Sequence, residues 1–335
     1  MDNQKETRVS VDLDFDQTGI QTGALRIPYS HDRDAYGYIP VPLMVAKNGP
    51  GPTVLLTGAN HGDEVEGSAA LMSLMRAIDV KQLRGRLIII PGLNFPAYLN
   101  SSRTSPIDRG NLNRLFPGDP DGSPTSVLAH YIGAELMPRA DYVMDFHAGG
   151  TTMAYVPTLF LSRPRDQAEE QKAKNIIEAF GAPRLMYMDN LASDQMIGSV
   201  ARRHGAYLIT GEFGGGGGVN LDGLAVVKRG IAGVLDRLGV LPASDLSPAP
   251  PTRHYRFRPE HYAFAPVPGI FEPACRLGDR VVAGQLAGLI YDPYRPWNEP
   301  ERVHFQADGE LFCLRTVARV DAGNFLAHLA EEEPQ

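Results

Sequence analysis

An α/β fold is predicted for this chain: a mixed, mostly parallel sheet flanked by helices, with a smaller C-terminal β domain. Two observations predict it. From about residue 53 to 240, short β-branched runs alternate with helical patterns, and alternation of that kind places helices on both faces of a parallel sheet. Near residue 243 the texture changes to short strands and glycine turns without helical periodicity.

Taken in order, the first fifty residues carry short alternating segments with Pro40 and Pro42 and are expected to be edge β structure. The run Thr53-Val54-Leu55-Leu56-Thr57 is a strand, and Leu71, Leu74, Met75 and Ile78 share one face of the helix after it. Leu87-Ile88-Ile89-Ile90, Tyr142-Val143-Met144-Asp145-Phe146 and Tyr207-Leu208-Ile209-Thr210 continue the alternation. The Pro- and Ser-rich stretch from Ala243 to Thr252 has the composition of a linker. The expected division is residues 1–248, a catalytic domain with a β-rich part at 1–50, and residues 249–335, the β domain.

Composition narrows the function classes. The 335 residues are 43% hydrophobic and 21% charged, enough for one large domain and a smaller one. No apolar run reaches the roughly 18 residues of a membrane span, and the polar start Met1 to Arg8 lacks a signal-peptide core, so a cytoplasmic protein is expected. Cys275 and Cys313 are expected as small buried thiols. A net charge of −7 with scattered Lys and Arg argues against nucleic-acid and anionic-membrane partners and leaves a small molecule.

The polar clusters sit at strand carboxyl ends, where open α/β sheets bind ligands. His61 and Glu64 follow the strand at 53–57 with H-x-x-E spacing; Arg103, Arg109, Asn113 and Arg114 lie in the loop after 87–90; Asp145 and His147 close the next strand; Glu212 follows 207–210. Taken singly, each has a bland reading: a surface histidine, an arginine solvating a long loop, a glutamate beside the flexible run Gly214 to Gly218. Together they suit a catalytic zinc site, which takes three protein ligands, two His and one carboxylate being a known set. His61 and Glu64 are two candidate ligands, and the cluster Asp145-Phe146-His147 could complete the set, through His147 with Asp145 as its support or through Asp145 instead. Glu212 would move the proton from water to a leaving amine, Arg103 would stabilise the oxyanion, and Asn113-Arg114 would hold a carboxylate. Such parts make an amide hydrolase.

These residues resemble the succinylglutamate desuccinylase/aspartoacylase family, relatives of zinc carboxypeptidases. The likeness is carried by Gly58-Ala59-Asn60-His61-Gly62-Asp63-Glu64, by Asn111 to Gly118 with its Asn-Arg pair, by Asp145-Phe146-His147 and by Gly211-Glu212-Phe213-Gly214, and it covers roughly residues 50 to 330. It implies a zinc carboxypeptidase-like sheet, one zinc ion per subunit on His61, Glu64 and His147, and Glu212 as general base and acid. It also implies a carboxylate grip by Asn113 and Arg114, and a carbonyl-polarising arginine for which Arg103 fits better than Arg109.

Within the family, the length and the glycine run look most similar to the branch acting on N-acetyl-diaminobutyrate in ectoine breakdown. Alternatives are a succinylglutamate- or aspartoacylase-type activity on an acidic substrate, or a carboxypeptidase on small peptides. A cationic substrate would need acids such as Asp189, Asp194 or Asp222, and an acidic acyl group a further cation such as Arg184, Arg202 or Arg109. The hairpins at 268–271 and 277–286 resemble biotinyl and lipoyl carrier domains, but no lysine follows Lys228 to hold a prosthetic group. The β domain is instead expected to wall the site or to join subunits in a homo-oligomer, expected as a dimer.

Overall fold

Neighbouring residues of the central strands face two different cores, which makes this a sheet covered on both sides. The computed structural model describes residues 6–189, 191, 194–243, 246 and 248–333. Positions 1–5 of the polar start and 244, 245 and 247 of the expected linker lie outside the described residues. The strands that build the centre are β1 (Gly19–Pro28), β2 (Tyr38–Asn48), β3 (Thr53–Gly58), β4 (Gly85–Ile90), β5 (Tyr142–His147), β6 (Met153–Tyr155), β7 (Thr158–Leu161), β8 (Arg184–Tyr187), β9 (Tyr207–Glu212) and β10 (Arg253–Arg256). The helices are α1 (Glu66–Ala77), α2 (Phe95–Leu99), α3 (Pro124–Tyr131), α4 (Gln167–Phe180), α5 (Ile197–Arg203) and α6 (Leu221–Arg237).

Val54 and Leu56 of β3, Leu87 and Ile89 of β4, and Met144 and Phe146 of β5 enter a core with Leu71 of α1, Phe180 of α4 and Val227 and Ile231 of α6. Leu55, Ile88, Ile90 and Val143, one residue out of phase, enter a second core with Leu128 of α3, Ile132 and Val200 of α5. The period-2 alternation of a strand explains the split. Both sides being covered, the strands read as unbroken apolar runs. Strands β4, β3, β5 and β9 are mutually parallel, as are β7, β8 and β10, whereas β7 meets β9 antiparallel. The first fifty residues form the edge: β1 pairs with β2 and β2 with β4, both antiparallel.

The C-terminal strands are β11 (Tyr262–Phe264), β12 (Gly269–Pro273), β13 (Arg280–Val281), β14 (Leu286–Tyr291), β15 (Glu301–His304), β16 (Gly309–Arg315), β17 (Arg319–Val320) and β18 (Phe325–Glu332). Among the described residues the large sheet runs β1-β2-β4-β3-β5-β9-β7-β8-β10-β18-β16-β13, so hydrogen bonding continues from the α/β part into the β part through β10 and β18. A smaller sheet, β15-β14-β12-β17, encloses a third core containing Phe271, Ile290, Phe305, Leu311 and Leu326. Cys313 is buried, Cys275 half-buried, and both are free thiols. Among the described residues no helix is long and apolar enough to cross a membrane.

A buried ion cluster joins the two parts. Glu310 of β16 is 4% exposed and accepts from Arg184 Nε of β8 at 2.7 Å and from the Tyr255 hydroxyl of β10. Removing Glu310 would strand a guanidinium that is mostly out of water, and breaking a buried pair from one side costs about 3–5 kcal/mol. Glu310→Ala is therefore expected to lower unfolding stability by that amount in chemical denaturation, and a loss below about 1 kcal/mol would show the cluster to be energetically idle.

Candidate active site

Strand register alone gathers most of the polar groups. Thr57 of β3 lies opposite Asp145 of β5, Asp145 opposite Thr210 of β9, and His147 opposite Glu212. Residues two apart share a face, so Thr57, Asp145, His147, Thr210 and Glu212 project from one side of the sheet at its carboxyl end. His147 and Glu212 are the last residues of β5 and β9, one and two residues further along their strands than the apolar runs indicate, because their backbones still pair. Asp145 is fully buried and takes hydrogen bonds from Thr57 Oγ1 at 2.6 Å and Asn60 Nδ2 at 3.1 Å.

His61 and Glu64 arrive from the turn after β3. Gly62 is required there, since a Cβ would come within 2.0 Å of the Ala97 carbonyl carbon in α2. Glu64 sits between the two imidazoles: its Oε1 is 2.7 Å from His61 Nδ1 and its Oε2 is 2.8 Å from His147 Nδ1. On its other side His147 contacts Asp145 Oδ2 through Nε2 at 2.8 Å. Asp145 thus supports His147, and the three residues whose donor atoms lie within 4.8 Å of one another are His61, Glu64 and His147.

The electrostatics follow from burial and contact. Burial opposes ionisation of Glu64, but the adjacent His61 and His147 outweigh it and hold the carboxyl far below the usual range. Burial also opposes charge on His147, yet Asp145 and Glu64 together push its imidazolium well above the ordinary value. On His61 burial wins over the pull of Glu64, so its titration moves down and the ring is neutral at pH 7. An ionised Glu64 only accepts, so each Nδ1 carries a hydrogen toward it, leaving His61 Nε2 buried without a partner. Two imidazole nitrogens converging on one buried carboxylate, one ring backed by a second carboxylate, is a donor set that fits a divalent metal such as zinc.

Around this centre lies a cavity of about 270 Å³. Arg103, Asn113, Arg114 and Glu212 line it with the three candidate ligands. Glu212 is half-buried, its Oε2 is out of water without a hydrogen-bond partner, and desolvation followed by repulsion from Glu64 pushes its carboxyl up to about 8. Arg103 Nη1 lies 3.4 Å from Glu64 Oε1. Burial, with Arg103 close by, lowers the Arg114 guanidinium from its usual value, and its Nη1 donates to the Asn113 carbonyl at 2.7 Å. The Asn113 side-chain oxygen is already engaged, accepting from the Ile197 amide at 2.9 Å.

Arg109 is exposed in a left-handed turn (φ 57°) and does not line the cavity; its neighbour Asp108 ties the loop to Gly110 and Thr125 instead. Asp189, Asp194 and Asp222 are absent from the lining as well. The remaining wall includes Met153, Tyr155, Phe160, Met188, Leu191, Met196 and Leu208, none of which the sequence reading assigns to the site. No sequence signal marks these positions, because they reach the cavity through pairings such as Tyr155 of β6 against Cys313 of β16.

Comparison with known proteins places this geometry among relatives. Residues 50–238 match the family model of the succinylglutamate desuccinylase/aspartoacylase catalytic domain. The chain is 38% identical over 331 residues, 98% of its length and 96% of the relative's, to the N-alpha-acetyl-L-2,4-diaminobutyric acid deacetylase of Halomonas elongata. Its fold is similar to the product-bound ectoine utilization protein EutE (DoeB) of Ruegeria pomeroyi, with TM-score 0.92 and 35% identity over 97% of this chain and 99% of that one. It is also similar to a succinylglutamate desuccinylase/aspartoacylase from Rhodobacter sphaeroides, with TM-score 0.91 and 34% identity over 98% and 100% of the two chains.

The charge state of His147 has a measurable consequence. A metal needs the bare Nδ1 lone pair, whereas the free protein keeps that ring protonated at neutral pH, so binding must expel a proton. Calorimetric zinc titration in two buffers of different ionisation enthalpy is expected to show about one proton released per metal, with affinity rising about tenfold per pH unit below the His147 titration. Binding without proton release would contradict the assigned charge of His147.

Proposed function

This chain belongs to the succinylglutamate desuccinylase/aspartoacylase family, and on that premise we propose that it is a zinc-dependent deacetylase of N-acetyl-L-2,4-diaminobutyrate in ectoine degradation. The observation that carries the reading is a single cavity holding a His-Glu-His triad, an elevated carboxyl and two guanidiniums. His61, Glu64 and His147 would hold the metal. When bound, the zinc ion supplies a Lewis acid that polarises the amide carbonyl and makes water more acidic.

The other roles belong to the protein's own groups. Arg114 binds the substrate carboxylate through a planar fork of donors, and Arg103 stabilises negative charge on the carbonyl oxygen. Glu212 takes a proton from the attacking water as its oxygen bonds to the acyl carbon. The same carboxyl then protonates the nitrogen as the C–N bond breaks, leaving acetate and a free amine. Cancelling the Glu64 charge that contributes to raising Glu212 brings its titration down toward the range where a proton shuttle works best.

The cavity lining supports a short neutral acyl group. Among the described residues, Arg103 and Arg114 are the guanidiniums in the lining, and the rest of the wall is mostly apolar. Arg184 is engaged with Glu310, and Arg202 lines a separate cleft beyond Met188 and Leu208. A succinyl carboxylate would lose water there without gaining a cation of its own. A volume near 270 Å³ also suits a small amide better than a peptide. With none of the three expected acids in the lining, the choice of diaminobutyrate rests on likeness to the Halomonas elongata enzyme.

Zinc-loaded protein assayed for amine release is expected to favour N-acetyl-diaminobutyrate over N-acetylaspartate and N-succinylglutamate in kcat/KM by at least about 100-fold, near 2.7 kcal/mol. Equal or better turnover of the succinyl substrate would overturn the acyl assignment. Glu212→Gln is expected to keep its zinc by metal analysis while kcat falls about 10²- to 10⁴-fold. Near-normal turnover in that variant would remove Glu212 from the mechanism.

A further inference from the structure

Two carboxylates beside Glu64 are buried, and neither enters the chemistry above. Asp63 is 8% exposed and accepts from the Thr151 amide at 2.8 Å and the Thr151 hydroxyl at 3.0 Å, in the loop that follows His147. Glu66, the first residue of α1, is 1% exposed and accepts through one oxygen, Oε1, from the Gly215 amide at 2.9 Å and the Asn220 amide at 3.1 Å. Its other oxygen is buried without a partner. The segment that supplies two candidate ligands therefore also grips the loops leaving β5 and β9.

The grip on the second loop matters most. Gly214 to Gly217 follow Glu212 closely, and all four have positive φ, from 80° to 120°, so the backbone alone gives this loop no preferred course. External bonds define it instead. Gly149 and Tyr155 amides donate to Gly214 O, Gly216 donates to Gly150 O and Met153 O, and Gly217 donates to Gly150 O. Glu66 supplies a further anchor, and a Cβ on Gly214 would lie 2.5 Å from its Oε1. Asn220 in turn caps α6, its Oδ1 accepting from Gly223 at 2.8 Å, so Glu66 fixes both ends of the glycine loop.

We infer that Glu66 is a positioning residue: by clamping the Gly214–Asn220 loop to the ligand-bearing turn, it sets where the Glu212 carboxyl stands relative to His61, Glu64 and His147. The inference rests on reading Glu212 as the proton shuttle. A misplacement of about 1 Å at such a group costs on the order of 100-fold in rate even when the residue itself is intact.

Glu66→Ala removes the clamp, Glu66→Asp withdraws it by one methylene, and Glu66→Gln keeps an oxygen that can accept both amides. For alanine and aspartate, kcat per zinc-loaded site is expected to fall about 10- to 100-fold with KM little changed, and glutamine is expected to restore it. Hydrogen exchange at Gly215 and Asn220 should quicken in the alanine and aspartate variants and stay slow in glutamine. Zinc content should stay at the wild-type level in all three. A purely structural role would instead lower melting temperature and the loaded fraction while leaving kcat per loaded site unchanged. That result, or unaltered exchange in a folded alanine or aspartate variant, overturns the inference. If the alanine variant does not fold, the aspartate variant decides by the same criteria. Absence of deacetylation in the wild type would defeat the proposed reaction instead, while the exchange measurement would still decide the clamp.

Discussion

Glu64 is the constraint around which the site is arranged. A carboxylate with almost no exposure stays ionised only if something cationic or proton-bearing faces each of its oxygens, and His61 and His147 do so at 2.7 and 2.8 Å. That single requirement fixes the tautomer of one ring and the charge of the other, and it makes Asp145 necessary to balance His147. Burial is the main cause of the high titration of Glu212, and the Glu64 anion beside it adds to the rise.

Much of this was legible in the sequence because the relevant geometry is local or periodic. Alternation along β3, β4 and β5 told which strands are covered on both sides, and the two-residue spacing of Asp145 and His147 put them on one face. The H-x-x-E turn is local as well. What the sequence did not disclose depends on contacts between distant segments. The chain favours Arg103 over Arg109, but where each side chain ends is set by the fold: Arg103 lines the cavity, and Arg109 is exposed beside the turn at Asp108. Tyr155, Met188 and Leu208 look like ordinary strand and loop residues until the sheet brings them to one wall.

The glycine run shows how a sequence pattern can mislead in the other direction. Five consecutive glycines suggest slack, yet the Gly215 amide is tied to Glu66, the Gly216 and Gly217 amides to carbonyls within 150–153, and the Gly214 carbonyl to the Gly149 and Tyr155 amides. Side chains would have defined such a loop by filling space. Here the absence of side chains lets the backbone pass against Met153 and Gly149, where a Cβ on Gly215 would approach to 2.3 and 2.7 Å. Glycine in this setting permits density rather than motion.

The change of composition near residue 243 suggests a seam, but the hydrogen bonds do not break there: β10 lies between β8 and β18, and β16 carries β6 at the cavity wall. Synthesis proceeds from the amino end, so the strands that lead into the candidate ligands emerge long before β16 and β18, which complete the far end of the sheet. Until β10 and β16 pair with them, β8 and β6 present open edges, the kind of surface on which nascent chains pair with one another. A chain arranged in this way makes its candidate metal ligands early but secures the cavity wall at β6 only when β16 arrives, more than 150 residues later.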